Sequence, residues 1–285
     1  MNLKENRVFS FIIVSVVYVL ATISAILSFN ALSIESIYLK ILIADVIATA
    51  VTFIFSVIFN NASVYDPYWS VQPIVIVVAL ALNCKITVAR LLPLIAICIW
   101  GIRLTVNWAY TFKNLTHQDW RYSMLKEKTG AFYPLINFLG IHLFPTIVVY
   151  LCMLPVIYTF TVDFNANAGS IIFFVVSILA TLLQGTADVQ MHAFRKQAKG
   201  GFIRVGLWKY SRHPNYLGEI LMWWGIALAL VCAKPTAWYL CLGALVNNLM
   251  FLVVSIPMAD KRQSKKQGFI EYKKATRILL PVKKF

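Results

Sequence analysis

The chain is poor in charge. Asp, Glu, Lys and Arg make up 13% of its 285 residues, where a soluble domain runs near about one-quarter. Acids are scarcest, 11 against 26 Lys and Arg, so the formal net charge is +15. That surplus does not point to a nucleic-acid partner, because such a partner needs a basic soluble face and little of this chain is soluble. The five cysteines, Cys84, Cys98, Cys152, Cys232 and Cys241, lie in or at the ends of apolar runs without CxxC or Cys/His spacing. Neither a disulfide framework nor a zinc site is implied, and no metal is expected. There is no GxGxxG fingerprint, so the soluble way of cradling a dinucleotide is excluded. No internal repeat or low-complexity segment occurs, and no spans carry the paired Gly/Pro interruptions of inverted-repeat transporters. The first apolar run, 8–29, is too long for a signal-peptide core and lacks a small-residue cleavage pattern, so it reads as a retained span.

What is present is apolar length. Hydrophobic residues reach 60% and mean hydropathy is positive. A hydrocarbon core of about 30 Å needs about 20 helical residues. Such runs fall at 8–29, 37–59, 67–84, 87–110, 136–160, 170–190, 216–233 and 236–257. The expected fold is therefore all-α: a polytopic transmembrane helical bundle of about eight spans, with both termini on one side. Residues 1–64 form an N-terminal transmembrane hairpin, and 65–285 a second domain with cytosolic loops and a basic tail. Only two connections exceed about ten residues, 111–135 and 191–215. Lys4, Arg7, those two loops and the tail from Lys261 to Lys284 hold 21 of the 26 basic residues, Lys199 among them. The opposite loops hold mainly Lys40, Lys85 and Lys234. By the positive-inside rule the basic face is cytosolic. Topology alone accounts for this asymmetry, and so does an anionic cytosolic ligand; charge does not choose between them.

Ionisable groups inside spans are costly and mark candidate sites. Asp45 stands alone and reads as a packing or interface residue. Trp100, Arg103 and Asn107, three and four apart, share one helical face. Asp66 and Gln72, flanking Trp69 in YDPYWSVQP, are candidate partners for the arginine. In TLLQGTADVQMHAFRK the residues Gln184, Asp188, Met191 and Arg195 recur at four, three and four, a polar stripe if the helix continues. A helix–helix seam explains that stripe as well as a ligand does.

The densest stretch is GLWKYSRHPNYLGEILMWWG. Arg212 and His213 precede Pro214, which suits a helix start, so Asn215, Tyr216 and Glu219 fall in the opening turns, with Asn215 and Glu219 on one face. Helix N-termini beside Arg and His suit phosphate or carboxylate. A cap with interfacial snorkelling is the plainer reading, yet Glu219 beside Trp223 and Trp224 needs compensation if buried. The tail, basic with Phe269, Tyr272, Ile278, Leu279 and Leu280 interleaved, suits a membrane-surface helix or a segment folded back under the bundle.

That stretch resembles the C-terminal signature of the steroid 5-alpha-reductase family, especially its uncharacterised bacterial-type membrane branch. DPYWSVQP, WGIRLTVNW, QDWRY, ADVQMHAFRK and EYKKATRILLP agree in order across most of 65–281. RHPxY alone also occurs in isoprenylcysteine and phospholipid methyltransferases; SRHPNYLGE with an upstream ADxQ helix favours the reductases. The resemblance implies an NADPH-dependent reductase of a C=C bond conjugated to a ketone in a steroid-like or other lipid substrate, with the cofactor held near the cytosolic face. Carried onto matching positions, Gln184, Asp188 and Arg195 line the cofactor. Arg204, Arg212, His213, Asn215, Tyr216 and Glu219 hold its nicotinamide and phosphate portions, with Arg121 and Tyr272 contributing.

In the steroid enzymes a carboxylate and a tyrosine polarise the ketone; the corresponding places here hold Gln72 and Trp100. Asp66, Arg103 or Asn107 then substitute, or the substrate is not a steroidal enone. The extra N-terminal span also departs from the seven-span steroid enzymes. The rival readings are a membrane methyltransferase using S-adenosylmethionine and a catalytically inactive lipid-binding homologue. Expected partners are the bilayer and a hydrophobic small molecule, with oligomeric state open. The host membrane is a bacterial plasma membrane or the endoplasmic reticulum.

Overall fold

The structure is a computed structural model that describes residues 3–197 and 200–280. Lys199, Lys283 and Lys284 of the expected basic face lie outside the described residues. Eight helical stretches are long and apolar enough to cross a membrane, at Arg7–Ala31, Ile37–Phe59, Ala62–Leu82, Val88–Thr111, Trp120–Thr161, Ala168–Gln197, Pro214–Ala233 and Pro235–Gln263. Each expected span finds its helix, and the chain is an integral multi-pass membrane protein. Among the described residues there is no strand; one parallel bridge joins Ser211 and Arg277.

Local sequence sets the helix ends. α1 (Arg7–Ala31) begins where the Asn6 side chain accepts from the Phe9 amide, and α2 (Ile37–Phe59) where Ser36 accepts from that of Leu39. α2 stops at Asn60, which adopts the left-handed conformation (φ 54°) that asparagine tolerates better than most residues. α3 (Tyr68–Leu82) and α4 (Val88–Thr111) follow. The 111–135 connection is not the plain loop its polarity suggested, because Asp119 caps a further helix, α5 (Trp120–Thr129). The chain then passes a π-helical segment, Asn137–Leu143, into α6 (Phe144–Thr161). α7 (Ala168–Gln197) runs on as one helix through the polar stripe. α8 (Pro214–Ala233) starts on the proline, whose missing amide costs nothing at a first helical position. α9 (Leu242–Met250), a π segment Phe251–Ser255, α10 (Ile256–Gln263) and α11 (Phe269–Ala275) complete the chain.

Two compact units interleave along the sequence: Met1–Lys85 with Gly101–Ile157, and Ile86–Trp100 with Tyr158–Phe285. In the first, α2 presents Asp45, Thr49, Thr52 and Ser56 at intervals of four, three and four, all buried. Thr146 joins Thr49 (2.9 Å) and the Tyr65 hydroxyl (2.8 Å), so hydroxyls stitch α2, the turn before α3, and α6 together. Gly101 lets α4 approach α3: a Cβ there would sit 2.6 Å from the Ser70 carbonyl oxygen.

In the second unit α7 and α8 form the main seam. Lipid supplies no hydrophobic drive between helices, so close packing over small residues must hold them. A Cβ on Gly218 would stand 2.6 Å from the Ala180 carbonyl oxygen, and one on Gly225 would stand 2.2 Å from Ser177 Oγ. The Ser177 hydroxyl also reaches the Met222 carbonyl at 3.2 Å. The tail folds back: the amides of Arg212 and His213 donate to the carbonyls of Arg277 (3.0 Å) and Ile278 (3.2 Å). Of the two readings open for the tail, the structure takes this one.

Candidate functional site

The glycine seam brings two polar pairs into register on antiparallel helices. Gln184 on α7 faces Glu219 on α8, and one turn along Asp188 faces Asn215. Glu219 is 2% exposed. Its carboxylate accepts from three N–H donors: Trp100 Nε1 at 2.8 Å, Gln184 Nε2 at 2.7 Å and Trp223 Nε1 at 2.9 Å. The two indoles meet edge to face, with centroids 4.9 Å apart. Because Gln184 spends its amide nitrogen on Glu219, its Oε1 is left buried without a hydrogen-bond donor. An orphaned buried acceptor costs free energy, so it marks a place where a donor from outside the chain fits.

Asn215 Nδ2 reaches Asp188 Oδ1 at 3.4 Å, a long bond. The Tyr216 ring lies parallel to His213, centroids 5.2 Å apart, and contacts Phe251. Beneath them Asp260 gathers the basic residues of the motif. It accepts from Arg212 Nη2 (3.2 Å), meets His213 Nε2 at 3.0 Å, and pairs with Lys273 at 3.3 Å. Arg212 also spends Nη1 on the carbonyls of Thr276 and Lys273. Its Nε is buried without a hydrogen bond. Arg212 and His213 therefore hold the tail first. Tyr272 does the same, donating its hydroxyl to the Trp208 carbonyl. Burial pushes its pKa up to about 12, against the opposing pull of the Arg212 charge. Arg195 stands exposed in the last turn of α7, and the Arg204 guanidinium lies over the Phe202 ring at 4.9 Å.

The remaining candidates belong to the first unit. Asp66 accepts from the Tyr122 hydroxyl at 2.7 Å. Arg121 forks onto Asp119 through Nε (2.8 Å) and Nη2 (3.2 Å), a local ion pair on α5. Arg103 and Asn107 are half-buried on α4, one and two turns beyond Trp100. Gln72 is buried with its Nε2 lacking a partner.

Sequence reasoning missed two features. Asp45 is not solitary: Tyr68 donates to its Oδ1 at 2.8 Å, and its other oxygen, Oδ2, is buried without a partner. The signal was the spacing of Asp45, Thr49, Thr52 and Ser56, a polar face hidden in an apolar run. Asp260 was missed too, although it is one of only two acids in a tail otherwise dominated by cations.

The profile of a family described as "Protein of unknown function (DUF1295)" matches residues 52–276. No curated protein and no solved structure matches the chain.

Proposed function

The chain belongs to the DUF1295 family, and we propose that this member is a membrane-embedded, NADPH-dependent reductase of a C=C bond conjugated to a ketone in a lipid-like substrate. One observation carries the reading. Glu219 fixes the Gln184 amide so that Oε1 is presented, buried and without a donor, on the helix pair that bears the reductase-like motif. A carboxamide such as that of nicotinamide offers the N–H that this oxygen lacks. The resemblance of GLWKYSRHPNYLGEILMWWG to the steroid 5-alpha-reductase signature supports the same assignment.

When bound, the nicotinamide supplies the hydride. The chain's own part is orientation. Trp100, Trp223 and Glu219 lock the Gln184 rotamer, and burial keeps water from competing for the oxygen. Asp188 and Asn215, one turn nearer the basic loops, continue the polar lining. Arg212 and His213 favour neither a reductase nor an S-adenosylmethionine methyltransferase, since Asp260 holds both. The choice rests on the Gln184–Glu219 pair. The concentration of Lys and Arg in the loops and tail supports a cofactor site facing the cytosol.

Thermal unfolding of the detergent-solubilised protein with NADPH, NADH or S-adenosylmethionine tests the proposal. Stabilisation by NADPH, lost in Gln184→Leu, is expected. Stabilisation by S-adenosylmethionine alone overturns it, and stabilisation by none assigns the chain to a non-catalytic homologue.

A further inference from the structure

Folding back turns one side of the tail inward and leaves the other outward. Phe202, Trp208 and Phe269 are buried, and the Tyr272 hydroxyl donates to the Trp208 carbonyl. The Phe202 ring meets those of Phe269 and Tyr272, centroids 5.1 Å apart in each case, so 200–213 and 264–280 pack together through these rings. Among the described residues, six large apolar side chains stand exposed outside the eight spans. One is Ile86; the other five, Val205, Tyr210, Ile270, Ile278 and Leu280, lie on these two segments. On α11, Phe269 and Tyr272 face in, while Ile270 shares the outer face with Lys273 and Lys274, three and four residues on.

The same two segments carry eight Lys and Arg and one acid, Glu271. Arg212 is spent on Asp260 and on tail carbonyls, whereas Arg204, Lys209, Lys265, Lys273 and Arg277 are exposed. Cations and apolar side chains alternate: Lys209 lies over the Tyr210 ring at 5.7 Å, Arg277 adjoins Ile278, and Lys273 follows Ile270 by about one turn. An acidic soluble protein would answer the charge and leave the apolar side chains wet; neutral lipid would do the reverse. A leaflet with anionic headgroups answers both. Such a leaflet is also within reach. The sixth span ends at Gln197, the seventh opens at Pro214 and the eighth ends at Gln263, so both segments leave directly from the edge of the lipid. Tyr210, four residues before Pro214, is at most about 14 Å from the start of its span.

We propose that this outer face docks on an anionic phospholipid leaflet, and that docking seats the Asp260 clasp. The side chains offered to lipid and the groups that hold the motif belong to one short stretch of chain. Lys273 and Thr276 give the carbonyls that Arg212 Nη1 uses, and Lys273 pairs with Asp260. Arg277 and Ile278 give the carbonyls that accept from the Arg212 and His213 amides. Lipid that fixes 270–280 therefore fixes Arg212 and His213 as well. The inference does not depend on the reductase reading.

Amide hydrogen exchange over 269–278 tests it, with the full chain in phosphatidylcholine nanodiscs made with or without phosphatidylglycerol. Protection should rise when phosphatidylglycerol is present and fall back at high salt, which screens surface charge. Lys209→Gln and Arg277→Gln should each cut that rise by about fivefold, the worth of one cation at an anionic surface, and Arg277→Lys should keep it. Ile270→Ser should lower protection by a similar factor in both lipids, since apolar burial does not read headgroup charge. Equal protection in the two lipids, or a rise that both glutamine variants leave intact, overturns the proposal. Protection that follows the number of copies per nanodisc instead of lipid charge assigns the face to a second copy of the chain and overturns it too.

Discussion

The Trp100 indole donates to Glu219 at 2.8 Å across 119 residues of sequence. Nothing in lipid would satisfy that carboxylate, so donors of the protein itself, Gln184 and Trp223 among them, do. Glu219→Gln replaces an acceptor of three N–H groups by an amide that brings two donors of its own. The expected result is a loss of about 1–3 kcal/mol, the cost of leaving a buried donor unmade, read by thermal unfolding in detergent. Trp100→Phe removes one donor and keeps the ring, and should cost less.

Gly218→Ala tests the seam that sets the register. Its new Cβ would lie 2.6 Å from a backbone oxygen, which cannot swing aside as a side chain could. Overpacking of this kind costs about 1–3 kcal/mol. Because the Gln184 backbone is also within reach of that Cβ, NADPH-dependent stabilisation should fall along with unfolding temperature. Gly140→Ala, where a Cβ would meet Ile136 at an ordinary 3.9 Å, should not affect ligand binding.

Asp260→Asn should loosen the tail. It leaves the Arg212 charge buried beside backbone carbonyls with no carboxylate, and breaking one side of a buried pair costs about 3–5 kcal/mol. Limited proteolysis between Lys261 and Lys274 should accelerate before global unfolding does.

Tyr272 supplies a pH signature. Its folded pKa, about 12, lies above the ordinary value of 10.0, so folding favours the protonated hydroxyl. The stabilisation is complete below pH 10 and fades as pH rises towards 12. The wild type should lose tail protection in that window, and Tyr272→Phe, less stable at neutral pH, should lack that limb.

Tyr68→Phe removes the hydroxyl that Asp45 accepts. Hydrogen bonds between membrane helices average about 0.6 kcal/mol and reach about 1.7. A double-mutant cycle with Asp45→Ala should return a coupling in that range, measured by unfolding in mixed micelles.

The eight spans were legible because runs of apolar residues long enough to cross lipid have few other uses. The pairing of α7 with α8 was half legible: the four-residue spacings of Gln184 with Asp188 and of Asn215 with Glu219 were visible, but not that each pair faces the other. That depends on Gly218 and Gly225, whose role is an absence of side chain. The polar face of α2 stayed hidden because threonine and serine barely lower the hydropathy of a span while their hydroxyls bond to backbone or to each other. α5 stayed hidden for the opposite reason, being short and rich in charge, and fixed by Asp119 and by Tyr122 bonding to Asp66. Arg212 and His213 looked like ligand-binding cations because the residue that occupies them, Asp260, lies 48 and 47 positions away.

The Asp260 clasp also sets an order of events during synthesis. Arg212 is translated 48 residues before Asp260. Until then the Arg212 guanidinium lacks the carboxylate it pairs with in the folded chain. The last helices thus supply the acid and the carbonyls that the Arg212 guanidinium uses.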